Sequence, residues 1–298
     1  MSKTIVIYGA GAVGCVLAAA LEQDDHRVLI QVRPARHAYL AAEGIKIRGK
    51  ITVNCKPTLF EADKSPEAAL FILSVKAYDL TGALLELLPV LTPRSEILLV
   101  QNGYGIREAA AEILAKLPFT VKVYQAISAV GATLHSPGEA DYFGGGLRLE
   151  PDFAASEYAE IWQNTFIKAV ISNNFQTDLW RKLVINSVVN PLTALLGLSN
   201  HQLAQDKYDR IKTQVLAESL NIAAGAGFAI NLQLEDFNRF IDSENISSML
   251  QDFQNGRPTE IDYINGILVT RAAQLQIPAP CNQLLTNLIK VKSTVTGK

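Results

Sequence analysis

With 298 residues, 49% of them hydrophobic, and a formal net charge of -2, the chain has the composition of a globular protein of about two domains. Its lysines and arginines are scattered, which excludes nucleic acid as a main partner, and no apolar stretch is long enough to span a bilayer. Cys15, Cys55 and Cys281 are far apart and free of CxxC spacing, and the four histidines are dispersed, so we expect a reducing compartment and no structural metal. The apolar run at the N-terminus is too short for a signal peptide, and the expected location is cytoplasmic.

Thr4-Ile5-Val6-Ile7-Tyr8 is a continuous apolar run, as a strand buried on both faces of a parallel sheet requires. Gly9-Ala10-Gly11-Ala12-Val13-Gly14 comes next, and Cys15 to Leu21 reads as a helix rich in alanine and leucine. This strand, GxGxxG, helix order fits dinucleotide binding. Gly9 permits the tight turn, Gly11 lets backbone approach a pyrophosphate, and Gly14 lets helix pack on strand. The N–H groups that open the helix then face the anion.

The second strand, Arg27 to Val32, should end on the carboxylate that an NAD-binding protein uses for its ribose hydroxyls. Here Arg33 and Arg36 stand instead, an arrangement suited to a 2′-phosphate, so NADPH is the expected cofactor. Further strands are expected at Leu70–Val75 and Ile97–Val100, with a helix near Tyr78 to Leu88 between them, which describes a doubly wound sheet. Polar residues come directly after each of these strands. Lys76 could reach cofactor phosphate or ribose, and Asn102 could bond the nicotinamide end or the substrate, with Gly103 keeping the backbone close. Val121 to Ala129 and the hairpin-like stretch Ser136–Gly146 read as an antiparallel extension of the same sheet.

From about Gln176 the alternation stops and long helical segments take over. The expected fold is therefore an N-terminal α/β Rossmann-type domain over residues 1–173 and an all-α domain over residues 174–298, with the active site between them. The helix around Leu179–Leu192 has an unusual surface. Lys182, Asn186, Asn190 and Thr193 fall within one narrow stripe, while Val184, Ile185, Val188, Val189 and Leu192 cover most of the rest. A helix so apolar is buried, and polar groups on it need partners, which a polar ligand would supply. Pro191 also leaves the Ser187 carbonyl without its helical donor.

Asp242–Leu250 looks like a helix start rich in hydroxyls and amides. Ser248, Asn245 and backbone N–H groups there could hold a carboxylate, and N-capping by one of the serines is the competing reading. A further helix is expected from Gly256–Gly266, with Thr259 and Asp262 suited to a capping box. Glu260 in its first turn is explained by the helix dipole alone, so position assigns it no role.

The chain resembles the ketopantoate reductase family almost end to end. The resemblance rests on the glycine motif, Ser74-Val75-Lys76-Ala77, Gln101-Asn102-Gly103-Tyr104-Gly105, Trp180-Arg181-Lys182-Leu183 with Asn186 and Asn190-Pro191, Asn245-Ile246-Ser247-Ser248-Met249, and Glu260-Ile261-Asp262-Tyr263-Ile264-Asn265-Gly266. It implies NADPH-dependent reduction of a 2-oxo acid, 2-dehydropantoate, in pantothenate and coenzyme A synthesis. It implies that Lys182 is the general acid and that Glu260 binds the substrate hydroxyl and helps position the lysine. Asn186, Asn190, Asn245 and Ser248 then hold the oxo acid, Arg33 meets the 2′-phosphate, and Lys76 and Asn102 line the nicotinamide side.

The chemistry agrees with that assignment. Hydride arriving at C2 leaves charge on the carbonyl oxygen, and Lys182 is the only charged donor on the stripe. Two other readings stand beside it: a reductase of another branched 2-oxo acid on the same fold, and a sensor that holds NADPH without turnover. The apolar C-terminal helices suit either a thick core or the interface of a homodimer.

Overall fold

The computed structural model describes residues 2–24, 26–241, 243 and 245–296. The chain forms two compact units, one of Met1–Gln101 with Gly105–Phe175, the other of Asn102–Tyr104 with Gln176–Lys298.

The strands of the first unit are β1 (Thr4–Tyr8), β2 (Arg27–Gln31), β3 (Ile45–Gly49), β4 (Val53–Cys55), β5 (Thr58–Leu59), β6 (Leu70–Leu73), β7 (Glu96–Leu99), β8 (Lys122–Ser128), β9 (Gly131–Ser136), β10 (Glu139–Gly144), β11 (Gly146–Leu149) and β12 (Lys168–Ile171). Its helices are α1 (Ala12–Glu22), α2 (Pro34–Glu43), α3 (Leu80–Leu87) and α4 (Ile106–Leu114). Eight strands form one sheet in the order β12-β11-β8-β7-β6-β1-β2-β5. From β5 to β8 all neighbours are parallel. Ile5–Ile7, Leu70–Leu73 and Ile97–Leu99 are fully buried, which is why these runs are apolar without alternation. The chain order reverses between β1 and β6, the place where an open sheet of this kind binds ligands at its carboxyl ends.

The departure from expectation begins at β8, which pairs parallel with β7 and not antiparallel, and continues beyond it. β9 and β10 do pair as an antiparallel hairpin, but they join β3 and β4 in a separate four-stranded sheet and do not extend the main one. That small sheet packs against α1, whose residues Gly14 to Leu21 are all buried. A strand pattern gives the face that is buried, not the partner. The partners here, Lys46 to Gly49, come far earlier in the chain. The main sheet is instead extended by β11, antiparallel to β8, and by β12.

The second unit is helical: α5 (Phe175–Leu196), α6 (Asn200–Ala204), α7 (Asp209–Gly225), α8 (Leu234–Ile241), α9 (Ser248–Gln254), α10 (Ile267–Gln274) and α11 (Pro280–Thr296). Its core gathers Trp180, Leu183, Val184, Val188 and Leu192 of α5 with apolar residues of the helices around it. A π-helical turn over Asp262–Gly266 leads into α10. The cap position of this helix falls on Ile261, which offers no side-chain acceptor, and Asp262 pairs with Lys290 at 2.6 Å. The capping box expected from Thr259 and Asp262 therefore does not form. Within the expected helix start at Asp242–Leu250, Asp242 and Glu244 lie outside the described residues.

Candidate functional site

In the first unit the glycine motif bridges β1 and α1 beside the end of β6. A Cβ on Gly14 would lie 2.0 Å from the Gly9 carbonyl oxygen and 2.6 Å from Ser74 Oγ, so close packing of helix on strand demands glycine there. Gly9 has φ +112, and a Cβ on it would strike Val75 at 2.9 Å. Gly11 differs, since a Cβ there would point into open space. Packing therefore explains Gly9 and Gly14, while Gly11 leaves bare backbone where the pyrophosphate of a dinucleotide would approach. Gly11 is the N-cap of α1 and supplies no side-chain acceptor, and the first turn carries no acid that would oppose an anion. The residues present fit a dinucleotide.

The two arginines after β2 behave differently. Arg36 turns back on the motif, with Nη1 3.4 Å from the Ala10 carbonyl. Arg33 is exposed and pairs with Asp79 at 2.8 Å. Lys76, which is half-buried, is the N-cap of the short 3₁₀ turn Ala77–Asp79 that carries this carboxylate. Asp79 escaped the sequence reading, since it lies 46 residues from Arg33 and no local pattern marks it.

In the second unit α5 is as apolar as its sequence indicates. Leu183, Val184, Ile185, Val188, Val189 and Leu192 are buried, and the polar stripe runs from half-buried Lys182 and Asn186 to Asn190 at 5% exposure and Thr193 at 0%. Burial lowers the Lys182 ammonium from the ordinary 10.5 to about 8, and the Glu260 carboxylate acts in the opposite direction. The helix runs through Pro191 without interruption. The Ser187 carbonyl that Pro191 cannot serve accepts a bond from Asn265 Nδ2 at 2.9 Å.

The lower end of the stripe is tied to α9. Thr193 Oγ1 donates to the Val189 carbonyl at 2.7 Å and lies 2.6 Å from Ser247 Oγ. Ser247, not Ser248, caps α9, accepting the Leu250 N–H at 3.1 Å. Capping thus accounts for one serine and leaves the role of half-buried Ser248 to other chemistry. Asn245, two residues before the cap, receives the Asn200 N–H on its carbonyl, while its Oδ1 is buried with no hydrogen-bond partner among the described residues.

Glu260 is 3% exposed and accepts from Asn102 Nδ2 at 3.4 Å. The loop that carries Asn102 is held against the π turn: Tyr104 N donates to the Tyr263 carbonyl at 3.3 Å, and Gly103, at φ +105, rests on Tyr263. Tyr104 also packs on Trp180, which stacks on Phe228. Asn102, Lys182, Asn186, Asn190, Asn245, Ser248 and Glu260 all belong to the second unit; Gly9 to Gly14, Arg33 and Lys76 belong to the first. Sequence reasoning missed Ser247, Tyr263 and Asn265 as supports. The buried position of Asn265 on a helix otherwise facing the core with isoleucine and leucine was the available signal. Among the described residues no helix is long and apolar enough to cross a membrane, and no group of three or more His, Cys, Asp or Glu could hold a metal ion.

Residues 5–149 match the family described as Ketopantoate reductase PanE/ApbA, and residues 174–293 match the description Ketopantoate reductase PanE/ApbA C terminal. The chain is 31% identical over 297 residues to the 2-dehydropantoate 2-reductase of Escherichia coli O157:H7, covering 97% of this chain and 95% of that one. The structure of a PanE/ApbA family ketopantoate reductase from Ralstonia eutropha JMP134 is similar at TM-score 0.87 and 26% identity, over 99% of this chain and 100% of the other. D-mandelate dehydrogenase, solved with NADH and anilino(oxo)acetate, shares the fold at TM-score 0.87 and 24% identity, over 99% and 100% of the two chains.

Proposed function

The chain belongs to the ketopantoate reductase family of oxidoreductases, and on that premise we propose that it reduces 2-dehydropantoate to pantoate with NADPH, using Lys182 as general acid. Bound NADPH supplies the hydride that arrives at C2. The negative charge that then grows on the former carbonyl oxygen needs a positioned cation and afterwards a proton. Lys182 supplies both from Nζ. Its ammonium, at about 8, remains roughly nine-tenths protonated at pH 7 and is a stronger acid than an exposed lysine at 10.5.

Asn186 and Asn190 continue the same stripe and offer amides to the oxo acid, while Asn245 and Ser248 approach from the end tied down by Thr193 and Ser247. Glu260 takes the substrate hydroxyl and supports the charge on Lys182, and Asn102 bonds Glu260 beside the nicotinamide. Arg33 meets the 2′-phosphate, which sets NADPH above NADH, and Lys76 faces the cofactor.

The single observation that carries this reading is a lysine on a buried polar stripe, lowered toward neutrality by burial and opposed by one buried carboxylate. The test is NADPH consumption with ketopantoate, compared with NADH and with Lys182→Ala. Turnover that prefers NADPH and collapses in the variant supports cofactor, substrate and acid together. NADPH binding without ketopantoate turnover overturns the substrate, and a panel of 2-oxo acids then replaces it.

A further inference from the structure

Asn265 is fully buried, the fourth of the five residues of the π turn that separates Glu260 from α10. Its Nδ2 donates to the Ser187 carbonyl on α5 and to Asn282 Oδ1 on α11, each at 2.9 Å. In an unbroken α-helix the Ser187 carbonyl would accept the N–H of residue 191, but residue 191 is proline. The donor missing from one helix is thus supplied by a side chain from another. Ser187 sits between Asn186 and Asn190 on the chain, five residues beyond Lys182, so the bond is made at the level of the polar stripe. A π turn inserts one residue, which rotates the chain on its N-terminal side by about 100° relative to the helix on its C-terminal side. Glu260 and the Tyr263 carbonyl that receives Tyr104 both depend on where that insertion is held.

We propose that Asn265 is a positioning residue for the Lys182–Glu260 pair: its amide replaces the hydrogen bond that Pro191 withholds, and so sets the height at which the π turn that follows Glu260 meets α5. The inference rests on the roles assigned above to Lys182 and Glu260. The competing account is a polar plug that only ties helices together, because Asn282 Nδ2 also reaches Glu218 at 2.8 Å and Ser219 at 3.2 Å, and Ser219 reaches Ser187 at 2.9 Å. Such a plug has no reason to govern the acidity of Lys182.

The experiment compares wild type, Asn265→Ala and Asn265→Ala with Pro191→Ala. Acylation of Lys182 by acetic anhydride is followed against pH by mass spectrometry, and kcat for ketopantoate is measured alongside. In Asn265→Ala the labelling midpoint moves down by about one pH unit as Glu260 shifts away, and kcat falls about tenfold or more. Pro191→Ala returns a backbone N–H to the Ser187 carbonyl and brings both back toward wild type. A midpoint that does not move in Asn265→Ala, or that Pro191→Ala does not restore, overturns the proposal. Should Asn265→Ala alone not fold, the double variant carries the test: folded with a wild-type midpoint it supports the role, unfolded or shifted it removes it. Labelling needs no turnover, so a wild type inactive on ketopantoate counts against the proposed substrate and leaves Asn265 to be decided by the midpoints.

Discussion

Asn102 Nδ2 lies 3.4 Å from Glu260 Oε2, joining residues 158 positions apart. Gly103 makes that approach possible: at φ +105, a Cβ would meet the Tyr263 carbonyl oxygen at 2.7 Å and Tyr263 Cβ at 2.8 Å. Gly103→Ala must therefore push the loop off the π turn and carry Asn102 with it. We expect kcat/KM to fall about 10²-fold, the scale of an ångström's misplacement. Gly105→Ala is the control, since its φ of +81 strains the backbone but nothing lies within 4 Å of the added carbon. Equal losses in the two variants, measured by steady-state kinetics, would show that strain and not the Tyr263 contact is responsible.

On the proposed role of Lys182 as general acid, its removal gives the largest kinetic effect. General acid catalysis contributes about 10²–10⁴-fold, so Lys182→Ala should raise the barrier by roughly 3–5 kcal/mol. The loss should belong to kcat, with NADPH affinity preserved, because the residues proposed to hold the cofactor, the glycine motif and Arg33, are untouched. Single-turnover rates and NADPH fluorescence titration separate the two, and an unaltered rate would remove Lys182 from the chemistry.

The pH dependence arises from the same lysine. As the proposed general acid it acts in its protonated form, so kcat/KM should be level below about pH 8 and fall above it. Glu260 raises the Lys182 value, hence Glu260→Gln moves the descending limb to lower pH. The effect on stability has the opposite sense. Between about 8 and 10.5 the unfolded chain holds a proton on Lys182 that the folded chain has released, so this group makes stability rise with pH across that window. Lys182→Met should flatten that contribution in denaturant titrations.

Arg33 already holds a carboxylate. Its pair with Asp79, at 2.8 Å and largely exposed, competes with any 2′-phosphate for the same guanidinium. An exposed pair of this kind is worth about 0–1 kcal/mol, so Asp79→Asn should lower KM for NADPH by roughly fivefold at most and leave NADH unaffected. Arg33→Ala should raise KM for NADPH by about tenfold or more, again without effect on NADH. If both cofactors respond alike to Arg33→Ala, the arginine does not read the phosphate.

What the amino-acid sequence by itself determined is local. The strand, glycine motif and helix at the N-terminus were legible because a turn that admits no Cβ and a strand buried on both faces each leave a mark within ten residues. The stripe from Lys182 to Thr193 was legible for the same reason, since helical periodicity places residues four apart on one face. Even the unserved Ser187 carbonyl could be read from Pro191. Its partner could not: Asn265 lies 78 residues away, Ser247 54 residues from Thr193, and Asp79 46 from Arg33. The hairpin β9–β10 shows the same limit, for its turn at Ser136-Pro137-Gly138 was visible while its partner β3 was not. Hydrogen-bond donors, acceptors and strand edges declare a need but carry no address. Only the packing of distant segments decides which group answers it, and here that choice set the support beneath Glu260 and the counter-ion of Arg33.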